Sequence, residues 1–156
     1  MTILVTGGAG VIGSHFILDW LAQHGEPGLH LDKIAYARKP ENLVALAGDS
    51  RYILIPGDIG NQILVDELLA QHAPRAIVNF AAESHVDRSI SGPSAFIETN
   101  IVGTFNLLEC ARRYVASLEA SARDGFRFLH VSTDEVYGSL EPAAPPFRED
   151  HQYQPN

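Results

Sequence analysis

Two adjacent carboxylates, Asp134 and Glu135, follow Thr133 just after the apolar run Phe128-Leu129-His130-Val131. An acid and a base side by side can divide a proton transfer, provided their surroundings hold them in different protonation states. Whichever of the two donates near neutral pH must keep its proton. Consecutive residues of an extended segment point opposite ways. Some departure from extended geometry is therefore needed for both to reach one small molecule.

A second stretch able to do chemistry lies near the N-terminus. Val5-Thr6-Gly7-Gly8-Ala9-Gly10-Val11-Ile12-Gly13 satisfies G-x-x-G-x-x-G from Gly7 and G-x-G-x-x-G from Gly8. Glycines let the backbone turn tightly and approach a pyrophosphate seated at a helix N-terminus, and Gly13 lets that helix pack closely on the strand. Asp32 stands nineteen residues after Gly13, where an acidic residue receives the hydroxyls of an adenosine ribose. The plainer alternative is a solvated loop aspartate. A carboxylate there repels a 2′-phosphate, which favours NAD over NADP, although Lys33 and Arg38 weaken the preference. Asp58-Ile59, after the third apolar run, is an adenine contact or an ordinary turn.

The elements that must position these residues are legible as an alternation. Apolar runs at Ile3–Val5, Leu29–Ile34, Tyr52–Pro56, Ala76–Phe80 and Phe126–Val131 read as strands buried on both faces. Helical patterns cover Val11–His24, Asn61–His72 with Asn61 as N-cap, and Pro93 to about Leu118, with a helical turn at Glu41–Ala47. This order predicts an α/β fold, a Rossmann-like doubly wound parallel sheet. Leu140–Asn156, rich in proline, reads as loop.

Composition narrows the function classes. The 156 residues are 46% hydrophobic with a net charge of -8, and Lys33 and Lys39 are the only lysines. That excludes a basic nucleic-acid surface. Cys110 stands alone, so neither an internal disulfide nor a cysteine zinc site is available, and its spacing marks it as core. The histidines show no metal-ligand spacing, so no metal is expected. No run approaches about eighteen apolar residues, so no membrane span is expected, and the expected location is cytoplasmic. Arg112-Arg113 reads as a solvated helix face. Tyr137 is either beside a cofactor or a cap on the core.

At Asn79-Phe80-Ala81-Ala82-Glu83-Ser84-His85-Val86-Asp87-Arg88-Ser89 the sequence becomes specific. Together with Gly7–Gly13, Asp32-Lys33, Glu98–Thr104 and Ser132–Gly138, it resembles the N-terminal part of the dTDP-glucose 4,6-dehydratase family along essentially the whole chain. These are extended short-chain dehydrogenases/reductases acting on nucleotide sugars. Beside Gly7, Gly10 and Gly13, the resemblance implies NAD contacts from Val11, Ile12, Asp32, Lys33, Asp58, Ile59, Phe80, Ala81, Ala82, Glu83, Ser84 and Thr99. It implies that Ser84 and Thr133 hydrogen-bond the sugar, with Asp134 as proton donor and Glu135 as proton acceptor. The implied reaction turns dTDP-glucose, or a related nucleotide sugar, into its 4-keto-6-deoxy product. Hydride leaves carbon 4 for NAD and returns at carbon 6, Glu135 takes the proton from carbon 5, and Asp134 protonates the hydroxyl leaving carbon 6. An epimerase of the same family typically has small residues at this place, so Asp134-Glu135 argues against one. A nonenzymatic NAD-binding module is the third reading. The sequence departs from the family at Val11 (usually Phe), Ala35 (usually Thr) and Gly60-Asn61.

The Tyr-x-x-x-Lys base of short-chain dehydrogenases is absent. Pro40, Pro56, Leu118 and Glu141 stand four residues after Tyr36, Tyr52, Tyr114 and Tyr137, and both lysines lie far upstream. Residues 1–156 are therefore expected to be an incomplete NAD-binding domain. Its sheet would stop after about the fifth strand, with an apolar edge, and the substrate domain would be absent. Little or no dehydratase activity is expected of the chain alone. A homodimer is expected through the long helix around 93–118, as in related enzymes. Its Phe96/Ile101/Phe105 stripe would be either that interface or core packing.

Overall fold

The computed structural model describes residues 2–33 and 40–156. Five parallel strands form one sheet: β1 (Ile3–Thr6), β2 (Gly28–Asp32), β3 (Tyr52–Pro56), β4 (Ala76–Asn79) and β5 (Arg127–His130). Their spatial order is β3-β2-β1-β4-β5. Ile3 lies beside Gly28 on one side and Ala76 on the other. The chain thus winds outward from β1 in both directions, and the order reverses between β1 and β4. In open α/β sheets that reversal, at the carboxyl ends of the strands, leaves the crevice where ligands bind.

Alternation along β1 explains the two layers. Ile3 and Val5 face one side, with Ile17 and Leu21 of α1 (Val11–Gln23) and Leu43 and Leu46 of a 3-10 turn (Pro40–Leu46). Leu4 faces the other side, joined by Leu29, Leu31 and Ile77. Val65, Leu68 and Leu69 of α2 (Gln62–His72) cover them, with Leu107, Cys110 and Ala111 of the long helix. Both faces of the central strands are buried, as a doubly wound sheet requires. Asn61 caps α2, accepting the Leu64 N–H at 3.2 Å. Ile34 and the departure at Ala35 lie outside the described residues, as does Arg38.

The long helical pattern is not uniform. After α3 (Val86–Ser91), it comprises α4 (Ser94–Phe96), a π-helical segment (Ile97–Gly103) and α5 (Thr104–Ser117), followed by α6 (Ala120–Gly125). The core-packing alternative for its stripe is corrected: Ile101 and Phe105 are 59% and 64% exposed. The helix buries its other face through Gly103, Leu107, Cys110 and Ala111. Arg113 is also more than a solvated residue, since it reaches Asp66 of α2 at 2.8 Å. Arg112 does face solvent, paired with Glu109. At the sheet edge, Leu129 and Val131 are exposed. Among the described residues, no helix is long and apolar enough to cross a membrane.

Candidate active site

The glycine-rich loop leaves β1 at the carboxyl edge of the sheet and presses against the loop leaving β4. Gly7 has φ +70°, and a Cβ there would lie 2.4 Å from the Ala81 nitrogen and 2.5 Å from the Phe80 carbonyl carbon. At Gly13 a Cβ would meet the Gly7 oxygen at 2.6 Å. Only glycine lets these three backbone segments approach so closely. Gly10 supplies no side-chain cap to α1, which leaves its first-turn N–H groups to a ligand or solvent. Uncapped donors beside a positive helix end suit a phosphate. Val11 and Ile12 open this helix with their side chains exposed.

Asp32 is not a solvated loop residue. It closes β2 with its carboxylate buried, and Oδ2 accepts the Ala9 N–H at 2.9 Å. The carboxylate therefore braces the glycine loop from the neighbouring strand. Lys33 and Asp58 meet each other at 2.8 Å. The Asp58 carboxylate also accepts the Gly60 N–H at 2.8 Å, forming the turn that places Ile59. The Asp58 hydrogen bond raises the Lys33 ammonium above its ordinary value. Ile59 is buried beneath Gly103 rather than free at a surface.

Residues that sequence reasoning did not single out tie these pieces together. Asn79, buried at the end of β4, receives the Thr6 hydroxyl from β1. It also receives the Ala81 N–H at 3.2 Å and donates to His130 Nδ1 of β5 at 3.0 Å. One amide thus aligns the carboxyl ends of three strands. Asn100 clamps the segment after β4: its Oδ1 takes the Glu83 N–H at 2.8 Å and its Nδ2 donates to the Glu83 carbonyl at 2.9 Å. Asn106 donates to the Ile59 carbonyl at 2.6 Å. Two asparagines inside a helix, where they are poor formers, were the available signal. Thr99 sits beside Asn100 in the π-helical segment, a distortion frequent at functional sites. Phe80 is half-buried with its ring 5.3 Å from that of Phe16. Ala82 and Ser84 are exposed.

Thr133, Asp134 and Glu135 follow β5 and do leave extended geometry. Asp134–Tyr137 form a 3-10 turn, capped by the Thr133 hydroxyl, which accepts the Glu135 N–H at 3.3 Å. All three are exposed. A pocket of about 470 Å³ opens here, lined by Ser132, Thr133, Asp134, Val136, Tyr137 and Tyr153. Glu135 lies outside that lining. The proline-rich tail is irregular, and it folds back over the turn. The Gln154 N–H donates to the Val136 carbonyl at 2.9 Å. Tyr137 stacks on Phe147 at 5.3 Å and meets Tyr153 at 5.5 Å. Tyr137 thus belongs to the pocket wall rather than to the core. Tyr153 is a wall residue that the sequence did not assign. Among the described residues, no group of histidine, cysteine and carboxylates could hold a metal.

Comparison with known proteins agrees with this geometry. The chain is 52% identical to the dTDP-glucose 4,6-dehydratase of Xanthomonas campestris pv. campestris (strain B100), over 99% of its own length and 44% of that protein. It superposes on the dTDP-glucose 4,6-dehydratase DesIV of Streptomyces venezuelae, solved with NAD bound, with a TM-score of 0.85. That match has 43% identity and covers 100% of this chain and 46% of that one. The Thermus thermophilus UDP-glucose 4-epimerase, also in complex with NAD, gives a TM-score of 0.79 at 29% identity, covering 99% and 45%. The chain therefore spans less than half the length of these relatives. The sequence model of the family described as GDP-mannose 4,6 dehydratase matches residues 4–156, and the chain belongs to that family.

Proposed function

We propose that this chain supplies the NAD half-site and the elimination acid and base of a nucleoside-diphosphate-glucose 4,6-dehydratase, with dTDP-glucose as substrate. The observation carrying the reading is one of placement. A glycine loop of phosphate-binding type and the Thr133–Glu135 triplet emerge from the same carboxyl edge of one sheet, on either side of the clamped segment after β4.

The residues present fit NAD: a loop that tolerates no Cβ at Gly7 or Gly13, uncapped helix N–H groups, and a carboxylate at the end of β2. Gly7, Gly10, Val11, Ile12 and Gly13 would hold the pyrophosphate side, and Asp32 and Lys33 the ribose. Asp58 would face the adenine. Ile59, its side chain buried beneath Gly103, would reach it only through its backbone, and Phe80–Ser84 with Thr99 would hold the remainder. The cofactor, when bound, would accept hydride from carbon 4 and return it at carbon 6. Thr133 and Ser84 would hold the hexose hydroxyls. Asp134 would give its proton to the hydroxyl leaving carbon 6, and Glu135 would take the proton from carbon 5. The 3-10 turn helps, because it removes the strict opposition of neighbouring side chains. Glu135 lies outside the pocket lining, so sugar binding would have to turn its side chain inward. No Tyr-x-x-x-Lys occurs in these residues, so turnover by this chain alone is expected to be absent. Pairing of two copies through the exposed Ile97, Ile101 and Phe105 face belongs to the same reading, as does a cytoplasmic location.

The test has two parts. Calorimetric titration of the chain with NAD should show saturable binding, and a flat titration counts against the half-site. In a protein joining this chain to a Tyr-x-x-x-Lys segment, Asp134→Asn and Glu135→Gln should each lower dTDP-glucose dehydration about a hundredfold or more. Undiminished dehydration in both variants would show that neither carboxylate is the elimination acid or base, and epimerisation without dehydration in the unsubstituted protein would point to an epimerase.

A further inference from the structure

His30 lies in β2 two residues before Asp32, on the same face of the strand, and is 1% exposed. Its Nε2 stands 3.4 Å from Asp32 Oδ2, the oxygen that also accepts the Ala9 N–H. Its Nδ1 stands 2.8 Å from the Tyr52 hydroxyl of β3. The ring also sits against the glycine loop, since a Cβ on Gly8 would lie 2.6 Å from Nε2. An ionised carboxylate only accepts, so in the neutral ring these two contacts place the hydrogen on Nε2 and leave Nδ1 to accept from the Tyr52 O–H. Burial raises the Tyr52 phenol above its ordinary value, which keeps that hydroxyl a donor. The hydrogen bonds then run in one direction, Tyr52 to His30 to Asp32.

We infer that His30 is a positioning residue for cofactor binding. Relayed through His30, Tyr52 of the neighbouring strand holds the Asp32 carboxylate against the Ala9 N–H and fixes the loop that receives the NAD pyrophosphate. Outer partners of this kind orient a binding group without touching the ligand. The inference rests on the NAD reading above, and its test separates the two.

NAD is titrated into the wild-type chain, His30→Leu, His30→Gln and Tyr52→Phe, with melting recorded alongside. His30→Leu keeps the apolar contacts and removes the donor, and NAD affinity should fall about tenfold. His30→Gln restores a donor at the same reach and should recover most of that loss, while Tyr52→Phe should lose less than His30→Leu. A wild-type chain that does not bind NAD sinks the cofactor reading itself. A wild-type chain that binds, with a His30→Leu variant that binds equally well, overturns the inference alone. So does a His30→Leu variant that melts earlier at unchanged affinity. Should His30→Leu fail to fold, the wild-type imidazole nitrogen spectrum decides. Protonation at Nε2 supports the relay, and protonation at Nδ1 overturns it.

Discussion

Cys110 shows how one buried side chain sets a measurable behaviour. It is fully buried under α2, and burial, reinforced by Asp66, pushes its thiol up to about 11 from an ordinary 9.0. The thiolate is the reactive form, so the folded chain should resist iodoacetamide at neutral pH, and denatured chain should react readily. The sign of the linkage follows. A value raised on folding contributes stability that is complete below about pH 9 and is lost as the pH climbs toward 11. Urea midpoints measured across that window should fall for the native protein, and the Cys110→Ala variant should fall less steeply. At this scale the sequence was legible where a residue type answers a backbone demand, as at Gly7 and Gly13. It was silent on Asn79 and His30, and marked Asn100 only as a poor helix former inside a helix, because their roles depend on partners elsewhere in the chain. Thr6 and Asn79 are 73 positions apart, and Glu83 and Asn100 are 17 apart.

Among the elements, all five strands were legible as continuous apolar runs, but only β1, β2 and β4 are buried throughout; β5, expected to be buried on both faces, lies at the sheet edge and is mostly exposed. The short helices were not. Val86–Ser91 and Ala120–Gly125 hold one or two turns each, too short to show a period. The 3-10 turn at Asp134–Tyr137 was foreseen only as a need for non-extended geometry. The π-helical segment had no sequence signal, although it carries Asn100, which bonds both backbone groups of Glu83. Asn100→Ala removes both hydrogen bonds of that clamp, and folding stability should drop by roughly 1–2 kcal/mol in urea titration. NAD affinity should drop as well, because the segment after β4 loses its tether. A variant as stable and as tight-binding as wild type would show that the clamp is idle.

Among the described residues of this acidic chain, the long helix carries an apolar strip where Ile97, Ile101, Phe105 and Leu108 are each about half exposed or more. An apolar strip this size on a single helix is what self-association would cover. Phe105→Glu places a charge in its middle. If the strip pairs two copies, sedimentation equilibrium should find wild-type dimer and Phe105→Glu monomer, with the melting of the monomer little changed. Wild-type monomer at tens of micromolar would rule out that role. The doubly wound sheet was legible from the β-α alternation alone, whereas the direction this helix faces was not. Its apolar residues spread around the cylinder, and only the packed structure shows which ones α2 covers.

The tail's return over the 3-10 turn has a practical consequence. Gly138, at φ +90°, has no room for a side chain, since a Cβ there would lie 2.3 Å from the Gln154 carbonyl oxygen, and the Asn156 amide donates to Ser139 Oγ at 2.6 Å. The last residues are therefore anchored at the rim of the pocket that Thr133 and Asp134 line. Whatever is joined after Asn156, a purification tag or further polypeptide, begins its path beside that opening. Thr2, by contrast, precedes β1 at the opposite edge of the sheet, where its carbonyl accepts the Arg75 N–H. Binding measurements on this chain are best made with any tag at that distant end.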